Sequence, residues 1–288
     1  MDEAVGIVGG EPKCCKSFLA LDLAVAVASG TPCLRHFAVP HPGRVLLYAA
    51  EDALHVVRHR LEGICAAAGC RLIDLDLLVI TAPTVRLDLL ADRTALDRTV
   101  AELQPRLLIL DPFVRLHRID ENASGEVAPL LAHLRGLQRR YALSVLVVHH
   151  AKKSAGSMRA GQALRGSSEF HAWGDSNLYL RRRNQVLTLS IEHRAAASPP
   201  SLALELQARG NALALELTQP AADPLPAPSS ADERIIAAIQ GADRPLTIKE
   251  LRHLCRVRNT TLYERLTALT NSGKLHRTTD GYQLITPH

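Results

Sequence analysis

Two hydrophobic rhythms alternate along the first two thirds of this chain. Short continuous apolar runs are separated by longer stretches whose apolar residues recur at helical spacing. A continuous run predicts a strand buried on both faces, and the amphipathic stretch after it predicts a helix that covers the sheet. The first strand spans residues 4–8 and leads into Gly9 and Gly10. The helix after it runs from Lys16 to Ser29, where Gly30 and Pro32 stop it. A second strand lies in RVLLYAAED, 44–52, before a helix with Leu54, Val57, Leu61 and Ile64 on one face and Gly69 at its end. A strand at 77–81 and a helix at 92–103, ending before Pro105, come next. RLLILD then forms an apolar strand ending in Asp111, and a helix over 125–141 places Leu130, Leu134 and Leu137 together. LSVLVVHH closes the series at His149 and His150. The alternation, which extends to about residue 192, predicts an α/β fold with a mainly parallel sheet.

Beyond His150 the pattern changes. Residues 151–166 are small, polar and basic, the composition of a loop. Segments 177–180, 186–191, 202–206 and 213–217 read as shorter strands joined by hairpins, one of them turning at Arg209, Gly210 and Asn211. Residues 218–231 hold four prolines and no period, so they form an extended linker between a first domain, 1–217, and a second, 232–288. The second domain offers helices at 233–240, 248–254 and 260–271, then a hairpin with Asp280 and Gly281 at its turn. Three helices and a hairpin are the outline of a winged helix-turn-helix.

Composition narrows the function classes. With 47% hydrophobic and 22% charged residues the chain can build a core. Aromatics are only 3%, with one Trp, so the core is Leu, Ala and Val, and base-stacking platforms of the RRM or OB kind are not expected. The net charge of +5 is compatible with a polyanionic partner. The start carries no basic region of a secretory signal, and no charge-free apolar stretch reaches the length of a membrane helix. The six cysteines, at 14, 15, 33, 65, 70 and 255, form neither a CxxC pair nor a zinc spacing. These features predict a cytoplasmic protein with free thiols and no membrane partner.

The richest chemistry lies in GGEPKCCKS, Gly9–Ser17, between a strand and a helix. It follows the Walker A pattern G-x-x-x-x-G-K-[ST], in which the loop backbone cradles phosphates, Lys reaches the β and γ oxygens and Ser holds Mg²⁺. Gly10, Glu11, Pro12, Lys13, Cys14, Cys15, Lys16 and Ser17 are the nucleotide-binding candidates. Cys15 stands where the pattern has its second glycine. Asp111, ending an apolar strand, is the expected Walker B carboxylate, sharing Mg²⁺ with Ser17. Glu51, at the end of the second strand, is placed to act as general base on water. Asp52 beside it is expected to cap the next helix. One of His149 and His150 is in place to hydrogen-bond the γ-phosphate.

The order GGEPKCCKS, LLYAAED, RLLILDP, VVHH and RGSS resembles the RecA-like ATPases of the RepA plasmid-helicase type, relatives of DnaB-like helicases. The resemblance covers residues 4 to about 192. It implies a RecA-like core in a ring, usually a hexamer, with ATP at subunit interfaces and single-stranded DNA in the channel. It makes Glu51 the base, Asp111 the metal holder and His150 the sensor. The loop 151–166 becomes a DNA-contacting loop through Lys152, Lys153, Arg159 and Arg165. A second DNA-facing segment is 113–124, with Arg115, His117 and Arg118. Among Arg181, Arg182 and Arg183 it places an arginine finger for a neighbouring subunit, solvated charge being the alternative. In the tail, nine Lys or Arg stand against six Asp or Glu after residue 228. There Arg256, Arg258, Asn259 and Thr260 open the third helix, and Lys274, His276 and Arg277 lie on the wing, as DNA contacts or within a protein-docking surface. Three departures stand out: Cys15, a first strand that begins so near Met1 that no packing arm is expected before it, and the winged-helix tail itself. The expectation is an ATP- and Mg²⁺-dependent DNA motor of helicase type. The alternatives are a non-hydrolysing ATP-gated DNA-binding regulator and a KaiC-like signalling ATPase.

Overall fold

The computed structural model describes residues 3–81, 85–150, 168–183, 186–209, 212–218, 231–242, 244–255 and 259–284. The chain divides into two units, Met1–Gln219 and Pro220–His288.

In the first unit the strands are β1 (Val5–Gly10), β2 (Val45–Ala49), β3 (Leu77–Ile80), β4 (Leu107–Asp111), β5 (Ser144–His150), β6 (Ser176–Arg183), β7 (Val186–His193), β8 (Leu202–Arg209) and β9 (Ala212–Leu217). They form one sheet in the order β3-β2-β4-β5-β1-β6-β7-β8-β9. From β3 to β6 the pairing is parallel, and from β6 to β9 it is antiparallel. The parallel part exists because helices α1 (Lys16–Ser29), α2 (Leu54–Ala68), α3 (Leu90–Leu103) and α4 (Ser124–Tyr141) carry the chain back between strands. Strands β1, β2, β4 and β5 are buried almost throughout, as continuous apolar runs require. The hairpins appear where alternation replaces those runs, at β7 for example.

Side-chain alternation divides the core into two layers. Val8, Leu47, Ile109 and Val148 pack with α1 and α2, whereas Ile7, Leu46, Leu108 and Val147 pack with α3 and α4. That parity also sends Asp111, at the end of β4, to the α1 side. Strand β1 extends through Gly9 and Gly10, beyond the expected end at Val8, because both backbones pair with β5 and β6. A Cβ on Gly10 would lie 2.5 Å from the Leu180 carbonyl oxygen, so this glycine is required by its neighbour strand. A short helix, α5 (Glu169–Trp173), was not legible in the sequence: five residues are too few to show a period. Its buried Phe170 and Trp173 anchor it under the α4 layer.

The second unit holds α6 (Ala231–Gln240), α7 (Ile248–Cys255), α8 (Asn259–Asn271), β10 (Leu275–Thr278) and β11 (Gly281–Leu284). Leu262, Leu266 and Leu269 of α8 turn inward onto Ile235, Ile239, Leu251 and Tyr282. A capping box opens α7: the Thr247 amide donates to Glu250 Oε2 at 2.9 Å and the Glu250 amide to Thr247 Oγ1 at 3.3 Å. The hairpin turns at Thr279 and Asp280, one residue earlier than expected, since Gly281 already pairs with Thr278. Gly281 has φ 149°, and a Cβ there would meet the Leu246 carbonyl oxygen at 2.4 Å, which fixes glycine at this place. Of the linker expected over 218–231, residues 219–230 lie outside the described residues, as do Gly210 and Asn211 of the expected turn.

Candidate functional site

The site forms where β1 ends and α1 begins, at the strand edge next to the switch in chain direction, the usual place for a ligand in an open α/β sheet. Two loop residues, Lys13 (φ 65°) and Cys15 (φ 60°), are left-handed between neighbours of negative φ. Such alternation turns backbone N–H groups toward one concavity, which suits an anion. Helix α1 has no side-chain cap and no acidic residue in its first turn. Its first N–H groups and the positive end of its dipole are therefore left for a ligand.

Within the loop, Pro12 and Lys13 are exposed while Cys14 and Lys16 are buried. The Lys16 ammonium donates to the Glu11 carbonyl oxygen at 2.8 Å. Burial pulls its pKa below the ordinary lysine value, against the Cys14 sulfur and the Asp111 and Glu51 carboxylates. Burial also raises the Cys14 thiol pKa. Cys15 adopts the left-handed conformation that the pattern's glycine tolerates, and its Sγ accepts from Arg182 Nη2 at 3.5 Å.

Asp111 is 8% exposed and lies in the same cleft as Ser17. Burial pushes its pKa up to about 6, with Asp52 adding to the rise and Ser17, Lys16 and Arg60 opposing it. Asp111 pairs in register with Ala49 of β2, so Glu51 follows just beyond, and Ser17, Glu51, Asp52, Arg60 and Asp111 line one cleft. A buried carboxylate in one cleft with a hydroxyl is a hard-oxygen donor pair, and burial leaves its charge without solvent to stabilise it. Both properties fit Mg²⁺. Among the described residues no cluster of three His, Cys, Asp or Glu is disposed to hold a metal by itself.

Several expectations change. Asp52 is no helix cap: α2 is capped at Ala53 without a side-chain bond, and Asp52 pairs with Arg60 at 2.5 Å. Arg60, which lies over the Phe18 ring, is a site residue that sequence reading missed, since only the fold brings α2 back across Asp52. His117 is no DNA contact, because it is 5% exposed, beside Glu121 and the Phe113 ring. Arg118 pairs with Asp88 at 3.0 Å, and Arg115 reaches Glu51 at 3.1 Å. His149 is buried against the Phe170 ring, on the face away from the loop. Strand parity puts His150, opposite Gly10, on the loop face.

Arg182 points at its own chain's loop, and Arg181 and Arg183 project from the other face of β6, that of buried Tyr179. Lys274, His276 and Arg277 are exposed along β10 and before it. Lys152, Lys153, Arg159, Arg165, Arg256 and Arg258 lie outside the described residues, and of Asn259 and Thr260 only the helical backbone is described. None of the six cysteines is in a disulfide, and among the described residues no helix is long and apolar enough to cross a membrane. The sequence model of a family described as an AAA domain matches residues 1–156, more than half of the 288-residue chain.

Proposed function

The chain belongs to this AAA-domain family of P-loop ATPases, and from that premise we infer that it hydrolyses ATP with Mg²⁺ and couples the hydrolysis to DNA. The observation that carries the reading is the single cleft beside the uncapped start of α1 that Ser17, Glu51 and the buried Asp111 line together. The loop amides and Lys16 bind the phosphates, and Ser17 and Asp111 hold Mg²⁺. When bound, Mg²⁺ would neutralise charge on the phosphate oxygens. Glu51 takes the proton of the water that attacks the γ-phosphorus. The bond from that phosphorus to the β–γ bridging oxygen breaks, giving ADP and phosphate. His150, on the same side of the sheet, is the candidate that senses the γ-phosphate.

The finer reading is a RecA-like helicase core of the RepA type, working as a ring on single-stranded DNA, with a winged-helix tail. A parallel sheet flanked by antiparallel hairpins, the net charge of +5 and the exposed Lys274, His276 and Arg277 support it. A finger directed at a neighbouring copy falls to Arg181 or Arg183, which face away from their own loop.

Steady-state ATP hydrolysis with and without single-stranded DNA, wild type against Lys16→Ala, tests the reading. Turnover that DNA raises, and that the variant lacks, is expected. Tight ATP binding without turnover would overturn hydrolysis and leave a nucleotide-gated regulator. Turnover indifferent to DNA would overturn the coupling.

A further inference from the structure

The carboxylate assigned as base is engaged by a side chain the reaction does not need. Arg115 Nη2 donates to Glu51 Oε1 at 3.1 Å, across 64 residues of sequence. Arg115 belongs to the strap between β4 and α4, and the strap's backbone is firmly mounted. Phe113, with no exposure, wedges against the His117 and Phe170 rings. The Arg115 carbonyl accepts from Arg86 Nη1 at 2.6 Å, and the Leu116 carbonyl accepts from the Leu87 amide at 2.6 Å. Arg118 is tied to Asp88. The long Arg115 side chain is by contrast 60% exposed and ends on a Glu51 that is 53% exposed. A backbone held at several points thus carries an exposed guanidinium.

This contact has a chemical consequence. A carboxylate oxygen that accepts from guanidinium has one fewer lone pair for orienting water. The ion pair is also easily broken: exposed pairs shift an equilibrium by no more than about fivefold. Phosphate is the competitor best matched to arginine, since it accepts two parallel N–H bonds and carries full charge. The neighbouring Arg86 guanidinium donates to the backbone carbonyls of Val85 and Arg115, neither of which carries a neutralising charge, so a second cation is bound to the strap's backbone.

We propose that Arg115 is a positioning residue for Glu51: it withholds the carboxylate from water until a nucleic-acid phosphate draws the guanidinium away. The strap is then the part that turns DNA binding into hydrolysis. This rests on the reading of the chain as a DNA-coupled ATPase.

The test is turnover of the full chain as wild type, Arg115→Gln and Arg115→Lys, each with and without an oligo-dT strand at low salt. Removing the guanidinium is expected to raise kcat without DNA by up to about fivefold at unchanged KM for ATP, and to remove that share of the DNA stimulation. Arg115→Lys keeps a cation on the strap and is expected to stay low without DNA and to respond to it. A general loss of structure would not raise kcat while sparing KM, nor be repaired by lysine. A fall in kcat for Arg115→Gln would show that the guanidinium assists the reaction itself, overturning the proposal. An Arg115→Gln protein stimulated as much as wild type, from the same basal rate, would overturn it too. A wild type that ignores oligo-dT, or shows no turnover, would instead sink the parent reading and with it the trigger.

Discussion

The raised Asp111 pKa carries a stability prediction that Asp111→Asn isolates. Asp111 is buried, and its folded-state pKa is about 6 against 3.8 for an ordinary aspartate. A carboxyl whose pKa is raised on folding opposes folding whenever it is ionised. The penalty is absent below pH 3.8, where both states are protonated, grows as pH rises, and is complete above about pH 6. The gap between 3.8 and about 6, at about 1.4 kcal/mol per decade of protons, amounts to about 3 kcal/mol. Asparagine has nearly the same shape, cannot ionise and keeps an oxygen in the cleft it shares with Ser17. Without nucleotide or Mg²⁺, the variant is therefore expected to be more stable than wild type at pH 8 by about 3 kcal/mol, roughly 6–12 °C in the melting temperature of a unit this size. The advantage should shrink below pH 6 and vanish near pH 4. Thermal unfolding of both proteins across that range, followed by circular dichroism, makes the comparison pH by pH, so carboxylates common to both cancel. A variant that is less stable at pH 8, or a difference that does not change with pH, would refute the argument that burial of this charge dominates its energetics. Stability is then bought at the expense of function, because Mg²⁺-dependent turnover should be lost.

Two further outcomes follow from the loop and the base. Glu51→Gln is expected to bind ATP as wild type does and to hydrolyse it at least about 100-fold more slowly, the low end for loss of a general base. Filter binding and a phosphate-release assay separate the two effects, and turnover at the wild-type rate would remove Glu51 from its role. At Cys15 the left-handed backbone sets the hierarchy: Cys15→Gly should change stability by less than about 1 kcal/mol, because relief of strain offsets the greater freedom of the unfolded chain. Cys15→Val should lose about 1–2 kcal/mol, since a β-branched residue is poorly accommodated there. Equal urea midpoints for the two variants would show that the backbone at this position does not discriminate.

The chain by itself carried the order of strands and helices, the placement of the phosphate loop, and the two carboxylates at strand ends. These are local matters. A continuous apolar run, a helical period, or a glycine and lysine at fixed spacing lies within a short window, and the physics that makes a buried strand or an anion-binding turn acts over that window. Strand parity is local too, so Asp111 shares a face with Ile109 and His150 with Val148, but packing decided that this face meets α1.

Only the tertiary structure decided which elements are neighbours. Inserting β4 and β5 between β2 and β1 brings Asp111 to Ser17, and nothing in either segment specifies that order. The same packing gave Asp52 the partner Arg60 in place of a helix amide and buried His117 beneath Phe113. Arg182 was drawn to its own loop and Arg115 to Glu51. Charge and side-chain length are visible in a sequence, but burial and pairing arise from contacts between segments dozens of residues apart. Those contacts set whether a given arginine meets solvent, a phosphate or the base.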